Sequence, residues 1–302
     1  MATSEYSSKQ DPKLDILVPG PHHDLLAGSF INASGLKINT RYWQPKSEIR
    51  ALVGILHGYA AHCMRYDKVA TSLAEDGIFC FGHDYQGMGE SEGERVPALD
   101  YTVYTADIIQ HIALIRSKYP SFPLFLVGQS IGCLLILMCL LERGDLCQGV
   151  ILLGACIKPA VGWAPRLLLS CANYLAPGYS LIGSDSRSLS RDQEEVRKYQ
   201  EDPLAWNSGL SIGFIHSFFS HIDMVRPRLG EITTPTLLYH GGSDTTVSPD
   251  NAHVIHEAIS SSDKEVRVIP LCLHSLLHEL EPERSNVVNG IRKWVLDRAV
   301  TK

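Results

Sequence analysis

The sequence predicts an α/β fold, in which a mostly parallel central sheet is flanked by helices and interrupted by one insertion. Three observations lead there. From about residue 51 onward, short apolar runs alternate with longer segments of helical period, the rhythm of a parallel sheet covered on both faces. Several of the short runs lead directly into glycine-punctuated loops, as strands do when they end at a functional edge. The rhythm breaks once, between about residues 155 and 223, as an insertion between one strand and the next would break it.

With 302 residues, 45% hydrophobic and 20% charged, the chain can bury a large core. Folds of this class often reach that length as one unit. Residues 26–302 are therefore expected to form a single domain with its insertion at about 155–223. Residues 1–25, polar and proline-containing, read as a loose N-terminal arm.

Each element has its own signal. Residues from Phe30 to Trp43 hold two alternating segments around Ser34-Gly35, which predicts a hairpin. Ala51-Leu-Val-Gly-Ile-Leu56 is a buried strand running into His57-Gly58-Tyr59. A helix is expected over Tyr66–Glu75 and a strand over Ile78–Phe81. A loop, His83-Asp84-Tyr85-Gln86-Gly87-Met88-Gly89-Glu90-Ser91, follows. Ile108, Ile112 and Ile115 recur at helical spacing within Asp100–Tyr119. Pro123–Val127 is the next strand, and the wholly apolar Ile131–Leu141 is a buried helix, too short for the roughly 20 residues that cross a bilayer. Further strands are expected at Val150–Leu153, Thr236–Tyr239 and Val266–Ile269. Helices are expected at 249–260, with Pro249 near the start, and at Glu283–Ala299.

Composition excludes several roles. The net charge is −6, and no basic block with interleaved aromatics suggests nucleic acid. The eight cysteines are scattered without a C-x-x-C pair, and no histidine–carboxylate cluster has metal-binding spacing, so no metal or cofactor is expected. The polar N-terminus lacks a signal-peptide core, which points to a reducing, cytoplasmic setting.

The chemistry concentrates at Gly128-Gln129-Ser130-Ile131-Gly132, between the Pro123–Val127 strand and the apolar helix. Strand, G-x-S-x-G and helix form the layout of a nucleophile elbow, which pushes the serine out of the fold. Such a serine needs a base to take its proton and an acid to orient that base. Asp244 follows the Thr236–Tyr239 strand and His274 follows the Val266–Ile269 strand, so Ser130, Asp244 and His274 stand in nucleophile–acid–base order at strand ends. The tetrahedral oxyanion would take N–H groups from Ile131 and from Tyr59, after His57-Gly58. His57 is assigned to bracing that loop, and the remaining histidines receive structural roles.

On these residues the chain resembles the monoacylglycerol lipase branch of the α/β-hydrolase fold. The likeness runs from about Gly35 to Trp294. It includes His57-Gly58 with His62 and Arg65-Tyr66, His83-Asp84 through Ser91-Glu-Gly93, the elbow, Leu189-Ser190-Arg191, Tyr199 with Asp202-Pro203-Leu204, Gly242-Ser-Asp244, and His274 with Glu279-Leu280-Glu281-Pro282. The resemblance implies that Arg65 and Tyr199 line the polar, glycerol-binding end of the site. It also implies that the insertion is a cap whose apolar outer face meets membranes. Trp163–Leu175 is the expected lipid-facing stretch. Phe214, Ile215, Phe218, Phe219, Ile222 and Val225 fit core packing as well as a cap. The chain departs from the family pattern at Gln129, Ile131 and Cys133, three positions able to reshape the acyl pocket. Ala61 replaces a family acid, and Leu277 with His278 displaces a histidine.

The expected activity is hydrolysis of a long-chain monoacylglycerol to fatty acid and glycerol through an acyl-Ser130 intermediate, by a cytoplasmic enzyme bound peripherally to membranes. A lysophospholipase or general carboxylesterase would use the same chemistry. A catalytically silent α/β-hydrolase scaffold is the alternative of another class.

Overall fold

The computed structural model describes residues 28–95, 100–158, 163–182, 186–206 and 209–299, and for 163–167 and 180–182 it describes the backbone alone. The arm expected at 1–25 lies outside the described residues.

β-Branched and aromatic residues crowd the runs that become central strands. β1 (Ser29–Ile31) and β2 (Lys37–Trp43) form the hairpin, with Asn32 Oδ1 accepting the Ser34 and Leu36 N–H groups in the turn. β3 (Ala51–Leu56), α1 (Asp67–Ala74), β4 (Ile78–His83), α2 (Thr102–Lys118), β5 (Leu124–Gln129), α3 (Ile131–Glu142) and β6 (Gly149–Leu153) follow. Next come α4 (Trp163–Leu175), β7 (Ser180–Ile182), α5 (Gln193–Glu201), β8 (Leu210–Ser211) and α6 (Ile212–Val225), with β7 and β8 paired antiparallel. β9 (Thr236–Gly241), α7 (Asp250–Ala258), β10 (Lys264–Ile269) and α8 (Glu283–Arg298) close the chain.

The main sheet has eight strands in the order β1-β2-β4-β3-β5-β6-β9-β10. β1 and β2 are antiparallel additions at one edge, and all pairings from β4 to β10 are parallel. Every residue of β3, β4, β5, β6 and β9 is buried, so both faces require cover. Alternation divides the core accordingly. Leu52 and Leu56 of β3 belong to the core on the face covered by α2, α3 and α7, while Ala51, Val53 and Ile55 belong to the core on the face covered by α1 and α8.

β10 begins at Lys264, earlier than the apolar run suggests, because Lys264 and Glu265 extend its register opposite Thr236 and Leu237. As an edge strand, β10 tolerates charged residues that no central strand would. α3 is buried on nearly every side, as its composition requires.

The order of strands reverses beside β3: β4 lies on one side and β5 on the other. A crevice opens above the carboxyl ends of strands at such a switch point. The Leu56↔Gly128 pairing sets His57-Gly58-Tyr59 and Ser130 side by side at that edge.

Candidate active site

Ser130 joins β5 to α3 with φ 55° and ψ −115°, a conformation an L-residue adopts at a cost of roughly 1–3 kcal/mol. Neighbouring contacts hold it there. Its N–H donates to Leu153 O at 2.9 Å and its carbonyl accepts the Cys133 N–H at 2.9 Å. Gly128 and Gly132 make the turn possible: a Cβ on Gly128 would sit 2.7 Å from the Gly132 carbonyl carbon, and one on Gly132 would strike the Leu56 carbonyl oxygen.

Asp244 follows β9 and His274 follows β10. His274 Nδ1 lies 2.7 Å from Asp244 Oδ2, and both residues are buried. The carboxylate only accepts, so Nδ1 carries the proton and leaves Nε2 as the basic nitrogen. Asp244 Oδ1 accepts the Thr246 and Val247 N–H groups at 2.8 and 3.0 Å. A second imidazole, unforeseen from the sequence, also serves Oδ2: His240 Nε2 is 3.1 Å away, and 3.0 Å from Val247 O. Both partners of that nitrogen are acceptors, so His240 donates. Burial alone would raise the Asp244 pKa, but hydrogen bonds from His240, His274 and Val247, with the His274 charge, hold it well below the usual carboxylate range. The position of His240, four residues before the acid on the same strand-to-turn segment, was the available signal.

The proposed oxyanion residues Tyr59 and Ile131 line one cavity with Ser130 and His274. The Ile131 N–H opens α3, where N–H groups lack intrahelical partners. The loop bearing Tyr59 is fixed by His57, whose ring stacks on Tyr85 at 3.9 Å. His57 Nε2 accepts the Tyr85 N–H at 3.1 Å, so Nδ1 donates to Gly58 O at 2.8 Å. Burial lowers the His57 pKa to about 4, despite the nearby Asp84 carboxylate. A neutral ring with both nitrogens engaged braces the loop and does not act as a base.

The cavity holds about 470 Å³. Phe214, Ile215, Phe218 and Phe219 of α6 give it an apolar wall, and Arg65 and Tyr199 also line it. The Arg65 guanidinium sits 5.0 Å above the Tyr199 ring and 3.9 Å from Asp202, which is itself 2.7 Å from His62 Nε2. The apolar residues of α6 turn inward: Ile222 and Val225 enter the core, and Phe218 and Phe219 line the cavity. On α4, Leu168, Tyr174 and Leu175 are 72%, 89% and 80% exposed. The side chains of Trp163 to Leu167 lie outside those described.

The departures at the elbow differ in consequence. Gln129 and Ile131 line the cavity, and Gln129 Nε2 donates to His274 O at 2.9 Å. Cys133, expected to reshape the pocket, does not line it. It is fully buried, its thiol 3.0 Å from Gly128 O, because it occupies the face of α3 turned toward the sheet. Ala61 lines the cavity, whereas Leu277 faces a neighbouring cleft of about 590 Å³. That cleft shares Arg65, Glu195 and His278 with the catalytic cavity but not Ser130, and Glu195 pairs there with Lys68 and Lys198.

An elbow serine, an acid-bound imidazole and a mostly parallel eight-stranded sheet define an α/β-hydrolase of the serine hydrolase class. The sequence model of the family described as serine aminopeptidase S33 matches residues 47–281. Monoglyceride lipase of Rattus norvegicus is 32% identical over 281 residues, 92% of each chain. The monoglyceride lipase of Homo sapiens is 31% identical over 284 residues, 93% of each chain. Among solved structures, a soluble variant of monoglyceride lipase from Saccharomyces cerevisiae, in complex with a substrate analog, superposes with a TM-score of 0.79. It is 21% identical and covers 94% of this chain and 100% of that one. The chain belongs to the serine aminopeptidase S33 family, in its monoglyceride lipase branch.

Proposed function

We propose that the protein hydrolyses long-chain monoacylglycerols to fatty acid and glycerol. The observation that carries this reading is a single cavity lined by Ser130 and His274 together with apolar side chains of α6 and the polar groups of Arg65 and Tyr199. An acyl chain suits the apolar side chains and a small polyol the polar groups.

In this reading His274 Nε2 takes the Ser130 hydroxyl proton as Oγ attacks the ester carbonyl. Asp244, kept ionised, stabilises the imidazolium. The N–H groups of Tyr59 and Ile131 stabilise the oxyanion, and losing one such donor costs about 3–4 kcal/mol in comparable enzymes. Collapse breaks the ester C–O bond, and the imidazolium proton goes to the departing glycerol oxygen. Water then attacks acyl-Ser130, again giving its proton to His274, and fatty acid leaves as Oγ recovers that proton.

The exposed Leu168, Tyr174 and Leu175 would seat α4 in the interfacial region of a membrane. No helix among the described residues is long and apolar enough to cross one.

Two measurements test the reading. A fluorophosphonate probe should label the native chain and not Ser130→Ala, whose hydrolysis should fall roughly 10⁴- to 10⁶-fold. Across monoglyceride, lysophosphatidylcholine and short p-nitrophenyl esters, the monoglyceride should give the highest kcat/KM. Preference for the short esters would indicate a general carboxylesterase, and an unlabelled native chain a silent scaffold.

A further inference from the structure

Residues 189–191 of the insertion are fastened to the loop that carries His274. The Ser275 N–H donates to Leu189 O at 2.7 Å, Ser190 Oγ donates to His278 O at 2.6 Å, and Arg191 Nε donates to Glu279 Oε2 at 2.9 Å. Glu279 is fully buried. Its Oε1 accepts the N–H of Leu273, the residue immediately before His274, at 2.7 Å. Arg191 Nη2 reaches Glu283 at 3.2 Å and Cys272 Sγ at 3.5 Å. Gln129 Nε2 also holds the His274 carbonyl, at 2.9 Å. A buried carboxylate is costly unless paired and hydrogen-bonded, and no step of ester hydrolysis uses this one. Its bonds run instead from the insertion, through Arg191, to the backbone beside the base.

We propose that Glu279 and Arg191 are positioning residues for the reaction. Their ion pair sets the backbone of Leu273 and His274, so that the imidazole keeps its bond to Asp244 in the cavity it shares with Ser130. The placement of the insertion thereby becomes part of the geometry of the base. The inference rests on His274 as base. Displacing a reacting group by about 1 Å can cost on the order of 100-fold in rate, so a small relaxation of this loop registers in kcat.

The test uses the full chain with Arg191→Met, Arg191→Lys and Glu279→Gln. Active sites are counted by fluorophosphonate labelling taken to completion, and a short soluble p-nitrophenyl ester gives kcat and KM per labelled site. Arg191→Met should lower kcat per labelled site about 10- to 100-fold with KM within about twofold, and slow labelling in proportion. Arg191→Lys, which keeps the charge, should recover much of the loss. Glu279→Gln keeps the shape and an acceptor for Leu273 N–H, and should lose about 10-fold even if Arg191→Met does not fold. Native kcat per labelled site in the folded variants, with only fewer sites or a lower Tm, would overturn the proposal, as would a rise in KM alone. Labelling that survives Ser130→Ala would instead defeat the catalytic assignment itself.

Discussion

At the residue scale, Asp244 governs the response to pH. All its hydrogen bonds favour the charged form, which lowers its pKa in the folded chain. A carboxyl depressed on folding contributes stability that is fully present above its unfolded value near 4 and is lost as pH falls below it. Asp244→Asn should therefore flatten the acid limb of stability below about pH 4, measured by chemical denaturation across pH. It should also reduce kcat about 10⁴-fold by reversing the imidazole tautomer, as loss of the equivalent acid does in a serine protease. Local sequence displayed the elbow and the Gly-Gly-Ser-Asp turn because glycine spacing and strand ends leave marks within a few residues. The pairing of Arg191 with Glu279 left no such mark. It depends on which segments meet in space, here 88 residues apart.

At the scale of elements, α4 and α6 divide the work of the insertion. α4 exposes Tyr174 and Leu175, whereas α6 turns Phe218 and Phe219 to the cavity. Tyr174→Glu with Leu175→Glu should weaken association with neutral phospholipid vesicles, read by co-sedimentation, and leave hydrolysis of a soluble ester within about twofold, since an interfacial helix contributes buried apolar area and not chemistry. Helical period alone showed that α6 was amphipathic but left core and cap indistinguishable. In the structure its apolar residues are shared between the core, at Ile222 and Val225, and the cavity. The strand boundaries were readable where apolar runs were continuous, as in β3 and β5, and less so in β10, whose edge position admits charge.

At the scale of the whole molecule, part of the core lies apart from the cavity that holds Ser130. Trp294 of α8 packs edge-on against Phe125 of β5, with ring centroids 5.9 Å apart, and is 3% exposed. Trp294→Ala should cost about 3–5 kcal/mol of unfolding free energy by denaturant titration, with kcat per labelled site unchanged. The alternation of strands and helices announced a parallel sheet, but not its order. Strand neighbours far apart in sequence, such as β6 and β9, are chosen by the packing of whole layers.

That adjacency has an evolutionary consequence. β6 and β9 are hydrogen-bonded neighbours, Leu153 opposite Tyr239, so everything between them is an overgrown crossover whose lower end, at Ile222 and Val225, is anchored in the core. Apart from Leu189-Ser190-Arg191, the upper end can vary while the scaffold stays put. A chimaera taking residues 154–219 from a relative with another appetite, so that the cavity wall at Phe214–Phe219 is exchanged and Leu189-Ser190-Arg191 is retained, should fold on the same sheet and inherit the donor's acyl-length profile. Diet can drift in such a lineage without renegotiating the architecture.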